Sequence, residues 1–169
     1  MSKAASFQFS GTKGQRISQG IVPSNQREMV TSWATAMAKY LQSKSNRKRD
    51  SFKTACVAFD ENTGKLYYGR NKGINHEASN VDKNITLFGD STHEGILPSR
   101  SLNGYPTPWN CAETDAINQA LNDNAELCNI HIYTIDTTPN NFGKPKKSCR
   151  NCTYAYKGKI KKNNTGWEE

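Results

Sequence analysis

Apolar residues recur along the chain in two rhythms. Val30, Trp33, Met37 and Tyr40 or Leu41 return at helical spacing. Pro23 with Ser24 or Asn25 opens that helix, and Asn25 with Glu28 fits a capping box. The pattern fades in the basic stretch KSNRKRD. FKTACVAFD then alternates, ENTG supplies a turn and KLYYGRN returns, which predicts a β-hairpin with Cys56 as a small buried thiol in its first strand. From about residue 72 to 110 no period lasts, and Pro98, Pro106 and Pro108 punctuate the stretch. A loop of that length inside a small domain is functional or disordered. CAETDAINQALNDN is helical again and turns Ala112, Ala116, Ile117, Ala120 and Leu121 toward a core. NIHIYTIDTT reads as a strand over about 129–137, and KKSCRNCTYAYKGK as a short helix beginning near Ser148. This order predicts an α/β fold, a three-layer α-β-α sandwich around a mixed central sheet. Residues 1–23 show little periodicity apart from Phe7 and Phe9 and read as a flexible arm or linker, leaving 24–169 as the domain.

Composition narrows the class. The chain has 169 residues, enough for one domain. No run approaches the roughly 20 apolar residues of a membrane span, and MSKAASFQFS offers no apolar core of a secretory signal. No membrane partner is expected, and the site of action is expected to be cytoplasmic. Lys and Arg number 23 against 15 Asp and Glu, a formal net charge of +8. The distribution says more than the sum. Lys144, Lys146, Lys147, Arg150, Lys157, Lys159, Lys161 and Lys162 fall in residues 137–167, which hold no acid. Lys44, Arg47, Lys48 and Arg49 form a second cluster. Such concentration suits a polyanion, because each Lys or Arg set near a phosphate releases condensed counterion. A solvated face is the plainer reading of any single run.

The 5 cysteines are Cys56, Cys111, Cys128, Cys149 and Cys152. An odd count without a secretory signal argues against a disulfide scaffold and for reduced thiols serving metal binding or catalysis. Cys149 and Cys152 are three apart at a helix start, so both sulfurs reach one ion. Cys111 supplies a third thiolate from another helix N-terminus, where the dipole favours the anion. Two residues turn a helix by about 200°, so Cys111 must sit at the cap, outside helical geometry, for Glu113 to face the same metal. Three protein ligands with an open fourth position describe a catalytic zinc, whose water a nearby carboxylate can deprotonate.

The run Cys111-Ala112-Glu113, a strand, then Cys149-Arg150-Asn151-Cys152 resembles the zinc-dependent cytidine deaminase-like superfamily, whose signature is H-x-E followed by P-C-x-x-C. Within it, WNCAETDAINQAL and KKSCRNCTYAY are most similar to the YwqJ-like bacterial toxin deaminases. The resemblance implies that Cys111, Cys149 and Cys152 bind Zn2+ and that Glu113 is the general acid/base of hydrolytic deamination at C4 of cytosine. It matches Asn71 to a polar residue contacting the nucleotide, with Asn75 as the competing candidate. Ser148 stands where the pattern usually has Pro. A site with three thiolates is more negative than one with a histidine, and Arg150, a candidate substrate contact, is expected to offset that charge together with the helix N-termini.

The leading expectation is therefore a zinc-dependent deaminase converting cytosine to uracil in nucleic acid, DNA ahead of RNA. Lys144, Lys146, Lys147 and Lys157 are the candidate nucleic-acid contacts. Trp109 is a candidate for stacking on a base or for the core, and the loop with Phe88, Tyr105 and Trp109 for gripping neighbouring nucleotides. The resemblance further implies delivery as the C-terminal part of a secreted toxin and a cognate immunity protein; a monomer is expected. A deaminase of free nucleosides or nucleotides would share the zinc chemistry and need no basic track. A non-catalytic zinc-stabilised binding module would normally close its metal with four ligands. His76-Glu77 and His93-Glu94 lack the His-x-Glu spacing, His131 reads as a satisfied sheet histidine, and Cys128 as structural.

Overall fold

The computed structural model describes residues 15–16, 25–76, 82–104 and 107–168, and every absence or count below refers to these. The expected arm 1–23 lies outside them apart from Gln15–Arg16, a two-residue strand β1. The protein has a mixed α/β fold. After β1 come α1 (Gln26–Lys44), α2 (Asn46–Asp50), β2 (Thr54–Asp60) and β3 (Lys65–Arg70). The short helices α3 (Gly73–His76) and α4 (Ile85–Phe88) precede α5 (Ala112–Asn122), and β4 (Ile130–Asp136), α6 (Arg150–Tyr156) and β5 (Lys162–Asn163) complete the order.

The strands form one sheet in the order β1-β3-β2-β4-β5. β2 runs antiparallel to both β3 and β4, and β5 joins β4 in parallel. Alternation along the strands divides the core. Ala55, Val57, Phe59, Leu66, Tyr68 and Ile135 meet Val30, Trp33, Met37 and Leu41 of α1. Cys56, Ala58, Tyr67, Ile130 and Ile132 meet α5 and α6 on the other side. A one-residue slip would exchange the two sets, so the two helical layers pin the register. Trp33 stacks on Tyr68 with centroids 5.4 Å apart and meets Phe52 edge-on at 6.4 Å.

The caps differ from expectation. Asn25 is the N-cap of α1 but makes no side-chain cap bond; its amide reaches Glu28 at 3.5 Å instead, so the reciprocal box does not form. The first helix ends at Lys44, at the head of the basic stretch as expected, but a second helix follows it. Ser45 accepts a hydrogen bond from the Lys48 backbone at 3.0 Å and starts α2. The aperiodic stretch is also pinned where it is described. Asn118 of α5 accepts from the Asn84 backbone and donates to the Asp82 carbonyl, each at 2.8 Å.

Helix α5 is buried on every side except at its last residue, because it lies directly on the sheet. A Cβ at Gly69 of β3 would stand 2.4 Å from both the Ala112 carbonyl oxygen and the Ala116 nitrogen. The polar residues of α5 are satisfied in place. Asp115 accepts from the Arg70 backbone at 3.0 Å, Gln119 donates to the Tyr68 carbonyl at 2.7 Å, and the hydroxyls of Thr114 and Tyr156 meet at 2.8 Å. Both obstacles at Gly69 are backbone and cannot swing aside. Gly69→Val is expected to lower stability by about 2–4 kcal/mol, read as an earlier urea midpoint with unchanged slope.

Candidate metal centre and active-site cleft

Two helix N-termini meet beside the sheet. Cys111 caps α5 with extended backbone (φ −81°, ψ 149°), and Cys149 caps α6 in the same way (φ −67°, ψ 174°). Cys111 thus stands outside the helix, the position the spacing argument required. The cap of α6 is Cys149, one residue later than the serine expected to start it. Cys152 follows in the first turn of α6 and is fully buried. The three sulfurs all lie within 4.8 Å of one another, with Cys111 and Cys149 at 2.8 Å, and none is in a disulfide.

The donor set fits a metal ion. Three soft sulfurs converge, and two of their residues, Cys111 and Cys149, line a cleft of about 590 Å³, so a ligand sphere built on them faces the cleft. In the metal-free protein the thiols share charge unequally. Hydrogen bonds from Cys111 and Cys152, aided by the backbone of Cys152 and Asn151 at the helix start, push Cys149 down to about 3. Cys111 is pushed up, first by its hydrogen bond to Cys149, and Cys152 is pushed up, first by burial.

Glu113 sits in the first turn of α5, 2% exposed, and lines the same cleft. Burial and then the nearby Cys149 charge raise it to about 7, against a hydrogen bond from Ser148 and the positive charge of Lys146. Ser148 is itself fully buried and accepts from Asn163 of β5 at 3.0 Å. Its backbone pairs with the Gly166–Glu168 segment through Ser148 N to Gly166 O at 3.0 Å and Glu168 N to Ser148 O at 2.9 Å. The serine therefore supplies a hydroxyl to the carboxyl and a backbone N–H that a proline would lack.

The remaining predicted residues divide. Asn71 lines the cleft, but its amide is committed to the backbone: the oxygen accepts from Lys53 and Thr54 at 2.9 and 3.1 Å, and the nitrogen donates to Ser51 at 2.8 Å. Asn75's side chain and Tyr105 lie outside what is described. Lys146 and Lys147 line the cleft, and Lys146 donates to the Thr54 hydroxyl at 2.9 Å. Lys144 and Lys157 are exposed and are not among the cleft's lining residues. Arg150 lines a neighbouring groove with Leu102, Thr153, Tyr154 and Glu168. Lys146 contributes positive charge toward Glu113. Trp109 packs at 5.9 Å from Phe88, with the Lys83 ammonium 5.3 Å from its ring.

Several lining residues had no signal in the periodicity: Lys53, Lys72, Asn103 and Asn110. Each flanks an element or lies in the long loop, and only the folded chain brings them together. Asn151, inside the CxxC, is buried and holds the loop near the site by accepting from Leu102 N at 2.8 Å. Among the other candidates, Cys56 is a core thiol as expected, whereas Cys128 is exposed and not in the core. His131 pairs with Glu61 at 2.6 Å, as a satisfied sheet histidine should. Among the described residues no helix is long and apolar enough to cross a membrane. Comparison of the chain with protein-family models, with curated proteins and with solved structures gives no match.

The buried Glu113 carboxyl makes metal-free stability depend on pH. Its folded value, about 7, lies above the usual 4.5, so its contribution is full below about 4.5 and is lost as pH rises through about 7. Metal-free Glu113→Gln, which stays neutral, should exceed wild type by on the order of 3 kcal/mol at pH 8.5. The gain should shrink toward zero at pH 4.5, as read by thermal melts across that range.

Proposed function

We propose that the protein is a zinc-dependent hydrolytic deaminase that converts cytosine to uracil in nucleic acid, with DNA ahead of RNA. The observation that carries this reading is a buried carboxyl, Glu113, sharing the wall of one open cleft with Cys111 and Cys149 of a three-sulfur cluster. The cytidine deaminase-like resemblance adds to it, as do a mixed sheet with helices on both faces and a Cys-x-Glu cap meeting a Cys-x-x-Cys cap. Cys111, Cys149 and Cys152 would hold the zinc, which would supply Lewis acidity to the site.

The chain's own groups do the rest. Glu113 takes one proton from the attacking water and passes it to ring nitrogen N3 as the oxygen bonds to C4. It then takes the second proton, from the hydroxyl now on C4, and passes it to the amine, which leaves as ammonia as the C4–N bond breaks and the C4 carbonyl forms. Ser148 fixes the carboxyl's orientation from behind. Lys146 contributes positive charge toward Glu113 and restrains its rise. A cleft of about 590 Å³ offers room for an unstacked base, which this chemistry requires, because the reacting carbon is unreachable inside a duplex.

Two outcomes test the reading. The purified protein should carry one equivalent of zinc by elemental analysis, falling roughly tenfold or more in Cys152→Ser and unchanged in Cys128→Ser. Wild type and Glu113→Ala incubated with single-stranded DNA, duplex DNA and RNA, then sequenced, should differ by C-to-T changes present only with wild type, a loss of about 10²-fold or more. Unchanged products on all three substrates, with zinc retained, would overturn the reading; conversion of free cytidine would then identify a nucleoside deaminase, and no conversion a non-catalytic zinc module.

A further inference from the structure

The cleft's basic residues are arranged by the sheet and not by the sequence run. Lys72 follows the end of β3, Lys53 immediately precedes β2, and Lys146 and Lys147 belong to the segment that pairs with the end of β4. The hydrogen-bonded order β3-β2-β4 therefore sets these lysines in a row along one rim of the cleft. Neighbouring strands are about 4.8 Å apart, so at the backbone the row spans roughly 10–15 Å. A single phosphate meets one or two ammonium groups, whereas a row this long matches a continuing phosphate backbone.

The row is also built. The Lys53 N–H donates to Asn71 Oδ1 at 2.9 Å, and its carbonyl accepts from Thr137 at 3.0 Å. The Lys72 N–H donates to the Asn110 carbonyl at 2.9 Å, tying it to the residue before Cys111. Lys72 stands at φ 60°, left-handed backbone that glycine favours and a Cβ opposes. Among the described residues only Asn124 shares that conformation without being glycine, and asparagine tolerates it at a helix end. A lysine where glycine would be easier, in the lining of a cleft, is strain of the kind that clusters at functional sites.

We infer that this rim is a backbone track: a single polynucleotide strand lies along Lys72, Lys53, Lys146 and Lys147 while its target base turns inward to Glu113. The inference rests on the proposed action on a nucleic-acid base and extends it to the substrate class, an internal nucleotide of a single strand. A free nucleotide would engage only part of the row. A duplex would have to unpair before its base could reach a carboxyl that is 2% exposed.

The test is binding, measured by fluorescence anisotropy across a salt series with the full chain and a labelled single-stranded oligodeoxynucleotide containing one cytosine. Lys72→Gly and Lys53→Ala should each weaken binding about threefold to tenfold and reduce the slope of log affinity against log salt by about 0.7. Lys39→Ala, on the exposed side of α1, should change neither. Lys72→Gly should melt at or above wild type, since it relieves the left-handed strain. Cytidine 5′-monophosphate should lose less than about twofold in either variant. Unchanged salt slopes, an equal loss for the mononucleotide, or tighter binding of a duplex than of the strand would each overturn the track. A wild type that binds with these slopes yet converts no cytosine would sink the deaminase reading and leave the track standing. Conversion of cytosine with slopes insensitive to both lysines would do the reverse.

Discussion

The position of every cleft residue depends on how closely α5 lies against the sheet. The helix backbone and β3 touch at Gly69, and Asp115 fills the space that a Cβ at Gly73 would need, at 2.2 Å. Two missing side chains thus let the first turn of α5 settle over the end of β3. Asp115 then closes the contact by accepting from the Arg70 backbone. From this seat the cap residue Cys111 and the first-turn Glu113 both face the cleft. Helix α6 is keyed to the same surface, because Tyr156, one turn beyond Cys152, meets Thr114 of α5 through its hydroxyl. A fully buried phenol and a fully buried threonine have few other ways to satisfy their hydrogen bonds. The pairing of their hydroxyls ties the end of α6 to the first turn of α5, while the two caps meet through the Cys111 and Cys149 sulfurs.

That meeting concentrates negative charge in a place with little water. Burial first, and then the opposition of a thiolate at Cys149, raises the Glu113 carboxyl. The fold answers with backbone dipoles at two helix starts and with Lys146. Lys146 is only partly exposed and is steadied by Thr54, so its charge acts from a defined position. Arg150, although inside the CxxC, points along a different groove.

The periodic parts of the chain were readable because their side chains alternate between the two helical layers or follow one face of a helix. The hairpin, β4, α1 and α5 fall within a residue or two of where the pattern puts them. The cap geometry of Cys111 was also readable, since a two-residue step leaves no other way for it and Glu113 to face one ion. Short paired pieces were not: β1, β5 and the bridge of Ser148 to Trp167 carry too few residues to show a period. Nor was the burial of Asp115, Asn118 and Gln119, whose partners are backbone groups. Polar letters on a helix normally mean solvent, and only the crossing of the loop and β3 over this helix reverses that. The lysine row escaped for a related reason, since Lys53 and Lys72 are isolated in the sequence and adjacent only through strand pairing.

The segment after α6 has its use in this context. β5 adds only two residues to the sheet, too few for much stability by themselves. Yet Asn163 within it donates both to the Ser148 hydroxyl and to the Gly166 carbonyl, at 3.0 and 2.8 Å. Gly166 in turn accepts the Ser148 N–H. The result is a closed loop of hydrogen bonds around one buried serine, whose hydroxyl faces the Glu113 carboxyl. With Asn163 donating to the serine oxygen, the hydroxyl's single hydrogen goes to the carboxylate. A proline at this position would stiffen the helix entry but remove both the N–H and the hydroxyl. Serine makes the orientation of Glu113 depend on β5 and the residues after it, so those residues complete the site from behind.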